Sequence, residues 1–68
     1  PGKFDCYANA EVNEPMFVLL GRDIVGPETI EAWIFLRLEN GEDPESEKLK
    51  EAQECADSMR EWRKVNRP

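Results

Sequence analysis

Arginine and tryptophan are the side chains with the most obvious chemistry in this sequence, and they stand in or beside its most apolar stretch. Arg22 and Asp23 follow the run MFVLL, and Arg37 comes four residues after Trp33. A guanidinium group donates two parallel hydrogen bonds to a phosphate or a carboxylate. An indole ring stacks on nucleobases, at about 1–3 kcal/mol per base. These residue types in this order predict a binding site for a nucleotide-type anion.

The predicted ligand-binding residues divide into three roles. Arg22 and Arg37 are expected to hold phosphate groups. Asp23 is expected to accept hydrogen bonds from ribose hydroxyls or to orient Arg22. The expected stacking partners of the base are Trp33, Phe17 or Tyr7.

The same residues also have a purely structural interpretation. Arg22 and Asp23 can form an ion pair at a helix end, with Asp23 bonded to backbone N–H groups in the turn. Arg37 can pair with Glu14 or Glu39. Aromatic side chains more often belong to a core or an interface, and this alternative applies to Trp33 and Trp62. The sequence alone leaves both interpretations open.

The sequence contains few of the residues that enzymes use for catalysis. The chain has no histidine, the residue that most often performs general acid–base catalysis. Its two cysteines, Cys6 and Cys55, have no partner at a spacing that would activate a nucleophile or hold a metal. We therefore expect a protein that is not an enzyme and that uses neither a metal nor a cofactor.

The cysteines also bear on the cellular compartment. No secretory signal with a charged start and an apolar stretch precedes them, which favours two free thiols in a reducing cytoplasm. A disulfide between Cys6 and Cys55 is the alternative, and it would close a long loop.

The charge of the chain and the length of its apolar runs argue against two classes of partner. Fifteen acidic residues against nine basic ones give a net charge of −6. Duplex nucleic acid requires lysines and arginines that displace counterions from phosphates, so it is not an expected partner. A membrane is not expected either, because the longest apolar run is far shorter than the ~20 residues that span a bilayer.

The elements that must position these residues are helical, in a single domain over residues 1–68. An arm over residues 1–12 mixes glycine, asparagine and proline with aromatic residues. A short helix is predicted over 13–21, with Asn13 as its N-cap and Pro15 in its first turn. The run MFVLL is equally compatible with a short buried strand, since periodicity cannot separate the two at this length.

Two longer helices are predicted to form an antiparallel hairpin. The first spans 27–39, from Pro27 at its first position to a stop at Asn40-Gly41. The second spans 44–66 after an Asp43 N-cap. Their predicted apolar stripes are Ile30, Trp33, Ile34, Arg37 and Leu38 in the first and Leu49, Ala52, Cys55, Ala56, Met59 and Trp62 in the second.

The fold class is therefore all-α, completed by homo-oligomerisation. A chain of 68 residues buries too small a core to be more than marginally stable alone. The helix over 27–39 is apolar on nearly all sides, and such a helix is normally buried on nearly all sides. In so small a protein this predicts burial between subunits.

Three segments together give the chain a family resemblance: EPMFVLLGRD, a proline-led helix with a tryptophan, and CADSMREW. Over positions 13 to 62 the pattern resembles short helical proteins encoded by bacteriophages and prophages. The matching residues are Glu14, Pro15, Phe17, Leu19, Arg22, Asp23, Trp33, Ala56, Asp57, Met59 and Trp62.

The resemblance implies a phage protein that acts in the host cytoplasm. Compact, acidic phage proteins of this size include sponges, which are symmetric oligomers that sequester nucleotide immune signals such as cyclic oligonucleotides or ADP-ribose derivatives. The alternative is an acidic inhibitor or nucleic-acid mimic that blocks a host protein, or a phage assembly adaptor. The acidic run for such a role comprises Glu39, Glu42, Asp43, Glu45 and Glu47.

Overall fold

The computed structural model describes residues 10–67 and contains two α-helices. Helix α1 spans Gly26–Glu39 and helix α2 spans Glu47–Asn66. Residues 10–67 contain no β-strand, so the predicted all-α class is confirmed for this part of the chain. Most of the predicted arm, including Cys6 and Tyr7, lies outside the described residues.

Helix α1 begins and ends close to where its sequence signals place it. Pro27 lies in the first turn, where a missing N–H costs nothing. Val25 precedes the helix, and its carbonyl accepts hydrogen bonds from both the amide and the hydroxyl of Thr29, at 2.9 and 2.7 Å. The helix ends at Asn40-Gly41, as predicted, and Gly41 has a φ of 94°, a conformation that glycine adopts without strain.

Helix α2 begins three residues later than predicted. The Asp43 carboxylate accepts a hydrogen bond from the Glu45 amide at 2.9 Å, and the Asp43 carbonyl accepts one from Ser46, also at 2.9 Å. Asp43 and Pro44 therefore belong to a turn, and Ser46 is the N-cap. An aspartate that bonds the amide two residues ahead competes with helix formation in this way.

The short helix predicted over 13–21 is wrong. Asn13 has a φ of 64°, and the Glu14 amide donates to the Glu11 carbonyl at 3.0 Å, which closes a turn where a helix start was expected. Residues 14–20 have no regular secondary structure. A helix this short requires tertiary packing to be stable. Phe17 is 82% exposed and supplies none.

The buried residues lie where the two helices meet. Among the described residues, the buried hydrophobic side chains are Leu49, Ala56 and Met59, all from the stripe predicted for α2. Gly26, at the start of α1, packs against Met59, because a Cβ added to Gly26 would lie 3.3 Å from the methionine sulfur. The first turn of α1 therefore contacts the later turns of α2.

A bidentate ion pair also joins the two helices. Arg60 of α2 donates to both carboxylate oxygens of Glu31 in α1, each at 2.7 Å, and Gln53 donates to one of them at 2.9 Å. The Arg60 hydrogen bonds, followed by that from Gln53, lower the pKa of Glu31 from 4.5 to about 2. The carboxylate form of Glu31 is thus favoured in the folded protein.

This pKa shift predicts a stability that falls in acid. Because the folded pKa is lower than the unfolded one, the contribution of Glu31 is fully present above about pH 4.5 and is lost as the pH falls towards 2. Glu31→Gln should therefore lower the free energy of unfolding at pH 7 and make progressively less difference below pH 4.5. Urea denaturation at a series of pH values measures this difference. Glu61→Gln is the matched control, since the one ion-pair partner of Glu61 among residues 10–67 is the exposed Lys64, at 3.8 Å. A pH-independent effect of Glu31→Gln would contradict the assignment.

Candidate functional site

An open depression of about 440 Å³ lies where the turn before α1 meets the last turns of α2. We call it the Trp62 pocket. Leu20, Gly21 and Arg22 line it from the turn, and the residues that line it from α2 and its end are Cys55, Ser58, Met59, Trp62 and Arg67. The pocket combines an aromatic ring, apolar side chains and two arginines.

Asp23 determines the shape of the turn on one side of the pocket. Its amide donates to the Leu20 carbonyl, and its own carbonyl accepts from the Gly26 amide, both at 3.0 Å. Its carboxylate accepts a hydrogen bond from the Val25 amide at 3.0 Å. These bonds form two consecutive turns that lead directly into α1.

The turn lies close against α2. A Cβ added to Gly21 would lie 3.8 Å from Met59 and 3.9 Å from the Trp62 ring. Arg63, which follows Trp62 in α2, donates a hydrogen bond from its Nη1 to the Ile24 carbonyl at 3.5 Å. This close approach places Arg22 beside Trp62, although forty positions separate them in the sequence.

The two arginines of the pocket have no acidic partner among residues 10–67. Arg67 lies over the Trp62 ring, with its guanidinium carbon 5.6 Å from the ring centroid. Arg22 is exposed at the rim. Four other cations of the described part are paired with acids, as Arg37–Glu42, Lys50–Glu45, Arg60–Glu31 and Lys64–Glu61, whereas Lys48 and Arg63 form no ion pair there. The Trp62 pocket therefore brings together two arginines that no acid of the described residues pairs with.

Cys55 contributes a neutral thiol to the pocket. It is a free, partly buried cysteine, and burial raises its pKa. At neutral pH it is accordingly protonated, which is the less nucleophilic form. Its predicted alternative disulfide partner, Cys6, lies outside the described residues.

A second, smaller depression of about 360 Å³ is lined by Arg37, Asn40, Gly41 and Glu42. The Arg37 guanidinium carbon lies 5.3 Å from the Trp33 ring centroid, and its Nε donates to Glu42. The other oxygen of Glu42 accepts a hydrogen bond from Ser46 at 2.9 Å. The Ser46 bond, followed by the Arg37 contact, lowers the pKa of Glu42. Arg37 is thus held by an acid that the sequence alternatives, Glu14 and Glu39, did not include.

The structure divides the six predicted ligand residues among separate places. Arg22 lines the Trp62 pocket, and Asp23 supports the turn that carries it. Trp33 and Arg37 lie together beside the second depression. The remaining two are Phe17, which is exposed and lines neither depression, and Tyr7, which lies outside the described residues.

Trp62 and Arg67 were not predicted as ligand residues. Trp62 completes the apolar stripe of α2, and so the sequence favours a place in the core, yet 41% of the residue is exposed. Arg67 belongs to a basic cluster at 60–67 that is also typical of a solvated helix end. Their spacing of five residues gave no signal, because positions three or four apart are the neighbours on a helix; Arg67 reaches the ring from just beyond the end of α2.

Neither α1 nor α2 has the length and apolarity that a membrane-spanning helix needs.

Comparisons with known proteins assign this chain to no family. No protein-family model, no curated protein and no solved structure matches this chain. The geometry of the Trp62 pocket is therefore the basis on which its function can be proposed.

Proposed function

We propose that this chain is a non-enzymatic protein that binds and sequesters a nucleotide-derived anion in the Trp62 pocket. The main support is the meeting of a half-exposed tryptophan with two arginines that have no acidic partner among residues 10–67. A nucleotide needs both features, because its base is a planar ring and its phosphates are anions.

Each side chain then has a defined task. The base stacks on the exposed part of the Trp62 ring, and Leu20 and Met59 provide apolar contacts at its edge. Arg22 and Arg67 bind phosphate oxygens. Charge-assisted hydrogen bonds of this kind contribute about 1.5–3 kcal/mol each. Asp23 acts indirectly, through the turn that positions Arg22.

The same proposal includes a homo-oligomer of antiparallel two-helix hairpins. A volume of about 440 Å³ lies within the range of small-molecule sites, about 300–1,000 Å³. The part of the pocket formed by residues 10–67 is open, whereas small-molecule sites normally enclose most of their ligand. A second subunit over its mouth would exclude water and strengthen the arginine–phosphate contacts.

The resemblance to phage proteins provides the biological setting of the proposal. A phage protein that retains a host immune signal, such as a cyclic oligonucleotide or an ADP-ribose derivative, needs affinity and abundance but no catalysis. The host cytoplasm is the compartment where such a protein would act.

The rival function, an acidic inhibitor of a host protein, has less support in the structure. Three acids of its proposed binding run have partners within the chain. Glu42 bonds Arg37 and Ser46, and Glu45 pairs with Lys50 at 3.0 Å. The Asp43 carboxylate bonds the backbone of its own turn. The run therefore presents less free negative charge than its sequence suggests.

Tryptophan fluorescence tests the proposal directly, because the chain has only two tryptophans. ADP-ribose and a cyclic dinucleotide are titrated separately into Trp33→Phe, which retains Trp62, and into Trp62→Phe, which retains Trp33. We expect quenching in Trp33→Phe with at least one probe. Loss of stacking in Trp62→Phe is expected to weaken binding about 5-fold or more by calorimetry. Equal responses of the two variants would contradict the assignment to Trp62.

Charge-matched variants control this experiment. Arg22→Gln or Arg67→Gln should weaken binding about 10- to 100-fold. Lys48→Gln removes the same charge at the opposite end of α2 and should have little effect. Arg37→Gln should also have little effect, because Glu42 holds this arginine. If all four variants bind every probe as the parent does, the pocket is not a phosphate site.

A further inference from the structure

Arg67 occupies the space above the Trp62 ring in which a base would stack. Both side chains line the Trp62 pocket, and the guanidinium carbon lies over the indole, 5.6 Å from its centroid. A stacked base lies about 3.4 Å from each of its neighbours, as in duplex DNA. A base inserted between the indole and the guanidinium would therefore need about 7 Å, twice that spacing. The observed distance is too short, so Arg67 must leave the ring when a base stacks there.

The Arg67 side chain can move without disturbing the helix. Its backbone lies just beyond α2, with φ −145° and ψ 64°, and its amide donates to the Arg63 carbonyl at 2.7 Å. The residue is exposed and has no acidic partner among residues 10–67. Within the described part of the chain, the contact with the Trp62 ring is thus the one interaction that the guanidinium loses when it turns away.

We infer that Arg67 makes the Trp62 pocket selective for ligands that carry phosphate groups beside the base. A nucleoside that stacks on Trp62 displaces the guanidinium and offers it only neutral hydroxyl groups. A nucleotide displaces it in the same way, but its phosphate accepts charge-assisted hydrogen bonds from the displaced group. The inference rests on the proposed function and deepens it, because it names the class of ligand that the pocket accepts and the class that it excludes.

The two contacts of Arg67 differ enough in strength to produce this selectivity. A cation–π contact at an exposed site corresponds to about 2- to 5-fold in affinity. A charge-assisted hydrogen bond to phosphate corresponds to about 10- to 100-fold. Arg67→Ala should consequently act in opposite directions on the two classes of ligand. It should tighten the binding of adenosine about 2- to 5-fold and weaken the binding of a nucleotide about 10-fold or more.

Arg22 provides the matched comparison, because it lines the same pocket and has no recorded contact with the Trp62 ring. Arg22→Ala removes the same charge and the same side chain. It should weaken the binding of nucleotides without tightening the binding of adenosine. A change of charge alone would affect the two variants alike, so the opposite response of adenosine is specific to the side chain above the ring.

Titrations of the full chain test the inference in a Trp33→Phe background, where Trp62 is the fluorescent indole. The probes are adenosine, ADP-ribose and cyclic di-AMP, which share one base and differ in their phosphate groups. Quenching by acrylamide, a neutral molecule, is measured first without any ligand. Removal of the covering guanidinium in Arg67→Ala should increase this quenching, whereas Arg22→Ala should not. Circular dichroism establishes that each variant retains the helices.

The outcomes separate the inference from the proposed function. Tighter adenosine binding and weaker nucleotide binding in Arg67→Ala support both. Nucleotide binding with an adenosine affinity that is unchanged in Arg67→Ala, or that rises equally in Arg22→Ala, overturns the inference and leaves the proposed function intact. Unchanged acrylamide quenching in Arg67→Ala also overturns the inference. If neither nucleotide binds the Trp33→Phe protein, the proposed function and the selectivity are both wrong.

Discussion

Met59→Ala is expected to cost about 2–5 kcal/mol of the free energy of unfolding. Met59 is only 9% exposed, and its side chain lies close to both Gly21 and Gly26. It therefore holds the turn before α1 against α2. At roughly 0.05–0.15 kcal/mol per residue, a chain this short has about 3–10 kcal/mol in total. Truncation of this one side chain should remove a large part of that stability.

The second methionine of the chain provides a matched control. Met16 is 43% exposed and lies in a segment without regular secondary structure. Met16→Ala should change the free energy of unfolding by less than about 1 kcal/mol, as surface substitutions usually do. Urea denaturation followed by circular dichroism at constant protein concentration compares the two variants. Equal losses would mean that Met59 does not pack as the structure shows.

The two long helices were predictable because their signals are local. Pro27 at the start and Asn40-Gly41 at the end determine α1 to within one residue of its observed limits. The stripe of α2 correctly named Leu49, Ala56 and Met59 as core residues. Proline geometry, glycine conformation and apolar periodicity act over a few neighbouring residues, and a sequence displays them directly.

The segment 13–21 shows where local signals fail. Asn13 and Pro15 are typical of a helix start, but here Asn13 adopts a left-handed conformation in a turn. Nothing in the neighbouring residues distinguishes the two outcomes. The stability of a short helix depends on the surface that it packs against, which sequence spacing does not show.

The candidate site was only partly predictable for a similar reason. Arg22 was predicted from its residue type and its apolar setting, and it lines the Trp62 pocket. Its aromatic neighbour could not be recognised, because Trp62 reaches it only through the packing of the turn on α2. Arg37 was assigned to phosphate, whereas the structure places Glu42 beside it. Whether an arginine is free depends on long-range contacts that a list of residues does not contain.

Glutamate placed at Ala56 or at Ala32 should distinguish a buried helix position from an exposed one. Ala56 is 0% exposed, so Ala56→Glu buries an unpaired charge between the helices and overfills the space there. The cost of several kcal/mol is comparable with the whole stability of the chain. We expect Ala56→Glu to lose its helical circular dichroism signal at every protein concentration. Ala32 lies on the exposed side of α1, so Ala32→Glu should remain helical.

The two substitutions can be compared directly because the chemical change is the same, whereas Ala56 of α2 is buried and Ala32 of α1 is exposed. If Ala56→Glu kept the helicity of the parent, the contact between α1 and α2 would be incorrect. If Ala32→Glu unfolded as well, Ala32 would be buried in the folded protein rather than exposed. The expected pair of results, one unfolded chain and one folded chain, requires both a core between the helices and an exposed position at Ala32.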